Sequence, residues 1–379
     1  MNDERLRRWR LVLGGDEDGT GVGLDAEDSK MDGVLAALYQ PEPESGAPRS
    51  AGLGASAPRV ARWLGDIRAY FPSSIVQVMQ RDAVDRLGLK RLLLEPELLS
   101  AVEPDVHLVG TLLSLNSVMP ERTKETARDV VRKVVDDLES RLGEPTRAAV
   151  RGALDRAARS ARPRHADIDW GKTVHANLRN YSPELRTVVP ERLVGYGRRN
   201  KSIQRDVILA IDQSGSMAES VVYASLFGAV LASMRALRTR LIAFDTAVVD
   251  LSDLLDDPVD VLFGTQLGGG TDINRALAYS QGLITKPEDT LMVLVSDLYE
   301  GGNREEMLTR VRMIVESGVQ LVALLALADS GAPSYDHDNA AAFAALGVPA
   351  FACTPDRFGD LLAAALRRED LSRWDSDSA

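Results

Sequence analysis

The chain has 379 residues, 45% hydrophobic and 27% charged, the balance of a soluble globular protein with room for two or three domains of ~100–200 residues. A net charge of −11 argues against whole-protein attraction to nucleic acid or an anionic membrane. The single cysteine, Cys353, excludes an intrachain disulfide and suits a reducing compartment. The N-terminus MNDERLRRWR has no apolar signal core, and the longest apolar run, Leu321–Ala328, falls far short of the ~20 residues a membrane helix needs. These features predict a soluble cytoplasmic protein with no membrane association. The charge is uneven: residues 141–206 carry 15 Lys and Arg against 7 Asp and Glu, a local +8 that leaves −19 for the remainder. That segment reads either as a solvated Arg-rich surface or as a docking patch for an acidic partner.

Residues 1–14 and 31–40 read as short helices anchored by Leu, Val and Trp. Between them GGDEDGTGVGLDAEDSK is read as a loop, because Gly19 follows Asp16 too closely for a calcium-loop spacing. Residues 41–58, rich in Pro, Gly, Ser and Ala, form a linker by composition. From Arg59 to about Arg164 the periodicity is helical: Val130, Val131, Val134, Val135, Leu138 and Leu142 share one face, and Pro96, Pro104 and Pro120 separate five or six helices. His107 and His165 have no second ligand at i+3 or i+4 and read as structural. Residues 165–205 are broken by Pro183, Pro190, Gly195 and Gly197 into an Arg-rich connector. Its ADIDWGKT stretch matches a phosphate-binding loop only loosely, since Asp167 and Asp169 would repel phosphate and no strand precedes it.

From Asp206 short apolar runs alternate with helical patterns. Strands are expected at Val207–Ile211, Leu241–Phe244, Val248–Leu251, Leu291–Ser296, Leu321–Leu327 and Ala350–Ala352. Helices are expected at Ala218–Arg235, Thr271–Leu283, Arg304–Ser317, Asn339–Leu346 and Pro355–Arg367. The expected fold is α/β, a doubly wound, mostly parallel Rossmann-like sheet preceded by an all-α N-terminal region. The expected layout is residues 1–58 as short helices and linker, 59–164 helical, 165–205 connector, 206–370 α/β, and 371–379 a disordered tail.

In such sheets ligands sit beyond the carboxyl ends of the strands, where the topology switches. Three loops there carry oxygen donors. DVILAI runs into DQSGSM, with Asp212 at the strand end and Ser214 and Ser216 at alternate positions; QLGGGTDI brings Thr271 to a helix entrance behind Gly268, Gly269 and Gly270; LMVLVS ends at Asp297. All are hard donors, suited to Mg²⁺. Asp272 reads as a helix cap. No His lies close in sequence to the three loops as a general base, and no G-x-S-x-G surrounds Ser214, which favours binding over hydrolysis. Cys353 reads as a buried core thiol.

DQSGSM, with GGGTD and VSD downstream, resembles the metal-ion-dependent adhesion site (MIDAS) of von Willebrand factor A (VWA) domains, over roughly Asp206 to Arg367. The resemblance implies that Ser214, Ser216 and Thr271 bind Mg²⁺ (or Mn²⁺) directly, and Asp212 and Asp297 directly or through water. A cation held mostly by neutral hydroxyls keeps positive character and an open position, which a Glu or Asp of a protein partner can fill. The layout also resembles the bacterial CoxE-like group, typically paired with MoxR-type AAA+ ATPases. That implies a non-enzymatic adaptor gripping an acidic side chain of a client or of the ATPase. Two alternatives stay open: a Mg²⁺-dependent hydrolase, and nucleic-acid binding through residues 141–206.

Overall fold

The computed structural model describes residues 3–13, 22–39, 57–86, 93–157, 159–160, 168–196, 205–265, 269–328 and 334–371. Two compact units divide the chain, Met1–Val134 and Val135–Ala379.

The first unit is helical: α1 (Asp3–Leu13), α2 (Ala26–Tyr39), α3 (Ala57–Tyr70), α4 (Ser73–Arg86), α5 (Pro96–Ala101), α6 (Val106–Leu115) and the start of α7 (Glu121–Ala157). Its core is built from Trp63, Ile67, Val76, Met79, Leu99 and Leu112, and the Trp63 indole donates to the Val34 carbonyl at 3.0 Å. Helix α2 begins five residues before the expected position. Asp25 caps it, accepting from the amides of Glu27 and Asp28 at 2.9 and 2.7 Å. Ion pairs Arg7–Asp28 and Arg10–Asp32 tie α1 to α2, and the Arg7 guanidinium holds the Asp28 carboxyl below the usual range. Acidic residues that read as loop are thus helical because their charges are capped and paired. Counted from Asp16, Gly21 is the sixth residue and Glu27 the twelfth, so the segment keeps a calcium-loop spacing despite the early Gly19. Residues 14–21 lie outside the described residues, as do the linker residues 40–56, His165 and the tail 372–379.

The second unit opens with the end of α7 and a small module. Strands β1 (Arg159–Ser160) and β4 (Gly195–Tyr196) pair antiparallel at its base, and between them lie α8 (Trp170–Ala176) and the two-residue strands β2 (Tyr181–Ser182) and β3 (Thr187–Val188). Asp169 caps α8, accepting from the Lys172 amide at 3.0 Å, and pairs with the Lys172 ammonium at 3.2 Å. The lysine of the loose phosphate-loop match therefore faces a carboxylate.

The sheet follows: β5 (Arg205–Asp212), β6 (Leu237–Phe244), β7 (Val248–Asp250), β8 (Thr290–Val295), β9 (Gln320–Leu327) and β10 (Ala350–Cys353). Their order is β10-β9-β8-β5-β6-β7, all pairs parallel except β6–β7. Helices α9 (Ala218–Ala232), α10 (Pro258–Gly264), α11 (Ile273–Leu283), α12 (Arg304–Glu316), α13 (His337–Ala345) and α14 (Pro355–Leu366) cover it. Buried parallel strands must be apolar on both faces, which is why they read as continuous Val, Ile and Leu runs. Ile208, Ala210, Met292 and Leu294 face one core with Leu277 of α11, Val311 of α12 and Phe343 of α13. Helix α9 packs on β5, β6 and β9, and its Phe227 meets Phe358 of α14 at a ring separation of 4.4 Å. Residues Gly215–Ala232 are long and apolar enough to cross a membrane by length and composition, but 67% of the stretch is buried within the fold. A helix apolar all round is expected where both sides are covered. Gly359 lets α14 and α7 touch through backbone, since a Cβ there would lie 2.9 Å from Cα of Thr146.

The chain builds outward from β5 to β6 and β7, then crosses to β8, β9 and β10. The switch point therefore falls between β5 and β8, and the crevice at their carboxyl ends is where such sheets bind ligands.

Candidate metal centre

Asp212 and Asp297 sit at that switch point, Asp212 as the last residue of β5 and Asp297 two residues past the end of β8. Both are buried. Asp212 turns the chain after β5, its Oδ1 accepting from the Ser214 amide at 2.9 Å. A 3-10 turn, Gly215–Met217, then leads into α9 and leaves Ser216 exposed. The hydroxyls of Ser214 and Ser216 lie 3.2 Å apart, and Ser216 donates to Asp297 Oδ2 at 2.7 Å. Thr271, just before the Asp272 cap of α11, donates to Asp212 Oδ1 at 3.5 Å. Contacts therefore run from Thr271 through Asp212, Ser214 and Ser216 to Asp297, joining all five residues expected from the sequence. Asp272 caps α11, accepting from the Arg275 amide at 2.8 Å, as its position suggested.

Sequence reasoning missed the supports. Ser296 is fully buried and donates to Asp212 Oδ2 at 2.8 Å, while its Oγ accepts from the Leu298 amide at 3.1 Å. Leu298 adopts a φ of 63°, a left-handed conformation that costs a side-chain-bearing residue ~1–2 kcal/mol. Asn339 holds that turn from α13, donating to the Leu298 carbonyl at 2.9 Å and to Asp336 Oδ2 at 3.1 Å, and accepting from Arg304 Nε at 2.7 Å. Asn339→Ala should lower stability by ~2–3 kcal/mol, because it strands buried polar groups. Urea unfolding measures it; a loss below ~0.5 kcal/mol would mean that the strained turn holds itself.

Glycines bring the loops close. Gly269 has φ 108°, open to glycine but strained for other residues, and a Cβ there would lie 3.3 Å from Asp245 Oδ2. The Gly301 amide donates to the Thr271 carbonyl at 2.8 Å. Gly268 lies outside the described residues.

The electrostatics are unbalanced. Among the described residues no Lys or Arg forms an ion pair with Asp212 or Asp297. Burial pushes the Asp212 carboxyl up to about 6; the Ser214 amide and the Ser296 hydroxyl pull it back, and the charge of Asp297 adds to the rise. Among the described residues no group of three or more His, Cys, Asp or Glu is placed to hold a metal, so any cation here would rest mainly on hydroxyl oxygens. Cys353 is buried and its thiol is pushed up to about 12, mainly by burial, which leaves it unreactive.

A family model described as "VWA domain containing CoxE-like protein" matches residues 142–361. The chain is 35% identical over 370 residues to the protein YehP of Escherichia coli (strain K12), covering 97% of this chain and 98% of that one. Two solved structures are similar over part of the chain. One is the conserved hypothetical protein BatB from Bacteroides thetaiotaomicron, at TM-score 0.35 and 14% identity, covering 43% of this chain and 98% of that one. The other is an aerotolerance-related membrane protein from Bacteroides fragilis NCTC 9343, at TM-score 0.31 and 16% identity, covering 44% and 98%. With a sheet of this order and a relative matching end to end, the chain belongs to the CoxE-like VWA domain proteins.

Proposed function

We propose that this chain is a metal-dependent protein-binding protein, not an enzyme, which holds Mg²⁺ (or Mn²⁺) on Asp212, Ser214, Ser216, Thr271 and Asp297. One observation carries the reading: two buried carboxylates share a hydrogen-bonded circuit with three hydroxyls, and no basic side chain neutralises them among the described residues. Such a site is destabilised by its own charge, and hard oxygen donors suit a hard divalent cation. The bound cation would supply positive charge to a carboxylate from outside the chain. The protein's own part is positioning: Ser296 orients Asp212, Asp297 orients Ser216, and the half-buried Ser214 and exposed Ser216 keep the approach open.

The partner is then a protein offering an Asp or Glu. In this reading the chain acts in the cytoplasm as an adaptor for a MoxR-type AAA+ ATPase that remodels client proteins, with no role for a membrane or nucleic acid. The CoxE-like family supports that step, and no residue contact does. The test is a pull-down from native lysate with the full chain and with Ser214→Ala/Ser216→Ala, each in Mg²⁺ and in EDTA, read by mass spectrometry. An AAA+ ATPase or a defined client retained only by wild type in Mg²⁺ is the expected result. The same proteins in all four samples would remove the metal site as the grip.

A further inference from the structure

The stretch that leads into α11 is held by other loops. Three consecutive residues give main-chain groups away. The Thr271 carbonyl accepts from the Gly301 amide at 2.8 Å, the Asp272 amide donates to the Asp245 carbonyl at 2.9 Å, and the Ile273 amide donates to Glu300 Oε2 at 2.7 Å. The first two ties are main chain to main chain. The third depends on one side chain, and that side chain stands in the loop after β8, three residues beyond Asp297.

Helix α11 already has a cap of the ordinary kind: Asp272, directly in front of it, accepts from the Arg275 amide at 2.8 Å. Glu300 reaches the same helix end from 27 residues away in the chain. Burial pushes the Glu300 carboxyl up; the Ile273 amide pulls it back, and the charge of Asp272 adds to the rise. Its second oxygen, Oε1, is buried with no hydrogen-bond partner among the described residues. Gly302 makes the room, since a Cβ there would lie 2.6 Å from Glu300 Oε1 and 3.2 Å from Asp272 Oδ1. A half-buried carboxylate folded back beside another carboxylate, with one oxygen unused, gains the fold little stability. What it does fix is the spacing between the two loops that carry Thr271 and Asp297.

We propose that Glu300 is a positioning residue for the cation site: it pins the start of α11 to the loop after β8, and so holds the Thr271 hydroxyl in register with Asp297. The proposal rests on the metal-dependent reading above and adds to it a side chain that acts through Thr271 and does not ligate the cation. The role is one of geometry. Only one carboxylate oxygen is engaged, so a glutamine, whose amide oxygen can accept the same hydrogen bond, serves as well as the glutamate.

The test uses the full chain and reads Mg²⁺ affinity by isothermal titration calorimetry, with melting temperature and amide exchange measured in EDTA. Glu300→Ala should weaken Mg²⁺ binding at least tenfold, and Glu300→Asp, one methylene too short, at least threefold. Glu300→Gln should stay within twofold of the wild type. In EDTA the amides at the start of α11 should exchange faster in Glu300→Ala but not in Glu300→Gln. Asn303 supplies the control for stability alone: it stands in the same loop but caps α12, accepting from the amides of Glu305 and Glu306 at 3.1 and 3.2 Å. Asn303→Ala should lower the melting temperature about as much as Glu300→Ala while binding Mg²⁺ like the wild type. Wild-type affinity in Glu300→Ala, an equal loss in Asn303→Ala, or failure of Glu300→Gln to restore binding would each overturn the proposal alone. Absence of Mg²⁺ binding to the wild type would overturn the cation reading, and this proposal with it.

Discussion

Asp212→Asn should abolish the gain in melting temperature that Mg²⁺ gives the wild-type protein, while leaving the metal-free protein as stable or more stable. The two effects have one cause. Asp212 is buried beside Asp297, and its carboxyl is raised from 3.8 to about 6. The charged form is penalised in the fold. The penalty is complete above pH 6 and vanishes below 3.8, so wild type loses stability as the pH rises through that window. A shift of that size corresponds to at most about 3 kcal/mol, of which the neutral amide should recover roughly 1–3 at pH 7 and little at pH 4. Asparagine can still accept from the Ser214 amide, so the turn after β5 survives. A cation offsets the same penalty in the wild type; at Mg²⁺ ~100 times its Kd the gain is about 2.7 kcal/mol. Thermal unfolding of both proteins at pH 7 and pH 4.5, with and without Mg²⁺, separates the contributions. An equal Mg²⁺ response in both would refute a cation on Asp212.

The second large effect is expected at Gly301. An added Cβ would lie 2.8 Å from the Thr271 carbonyl oxygen, the acceptor of the Gly301 amide. The clash is with backbone, so no side-chain rotation relieves it. Gly301→Ala must push apart the loops carrying Asp297 and Thr271, at a cost of roughly 2–4 kcal/mol from overpacking and a weakened hydrogen bond. Displacing Thr271 should also cut Mg²⁺ affinity by tenfold or more. Gly215→Ala is the control: nothing lies within 4 Å of its added Cβ, although it stands between the two serines. Chemical denaturation and Mg²⁺ titration should find Gly215→Ala near wild type and Gly301→Ala impaired in both. If the two behave alike, loop spacing does not govern the site.

The sheet was readable because buried parallel strands leave apolar runs that surface residues cannot imitate. The boundaries failed where polarity intrudes. Strand β6 starts at Leu237, ahead of the expected Leu241, because the RTR between them sits at the more solvated end. Helix α10 was missed: seven residues give too little period to detect, and its start is set by Asp257 accepting from the Val259 amide at 2.9 Å. That Asp212, Ser214, Ser216, Thr271 and Asp297 come together at the carboxyl ends of the strands was readable from loop position and residue type. Their supports were not. Ser296 looks like the tail of a strand and Asn339 like one more polar helix residue, and only tertiary placement aims them at Asp212 and Leu298. The burial of Asn177 beside an exposed Leu178 was hidden as well, because in an irregular stretch no periodicity tells which side faces inward.

The loops of the site are laced by main chain. Amides of Gln213, Asp272, Gly301 and Asp336 donate to the carbonyls of Phe244, Asp245, Thr271 and Asp297, at 2.8 to 2.9 Å. Loops that are usually the soft part of a fold are thereby fastened to β5 and β8, each of which is hydrogen-bonded on both sides. Tension applied at this edge would load those interior strands in shear along their length, so that many hydrogen bonds resist at once instead of opening one after another. The same lacing should make these four amides among the slowest in the unit to exchange with deuterium, although they belong to loops.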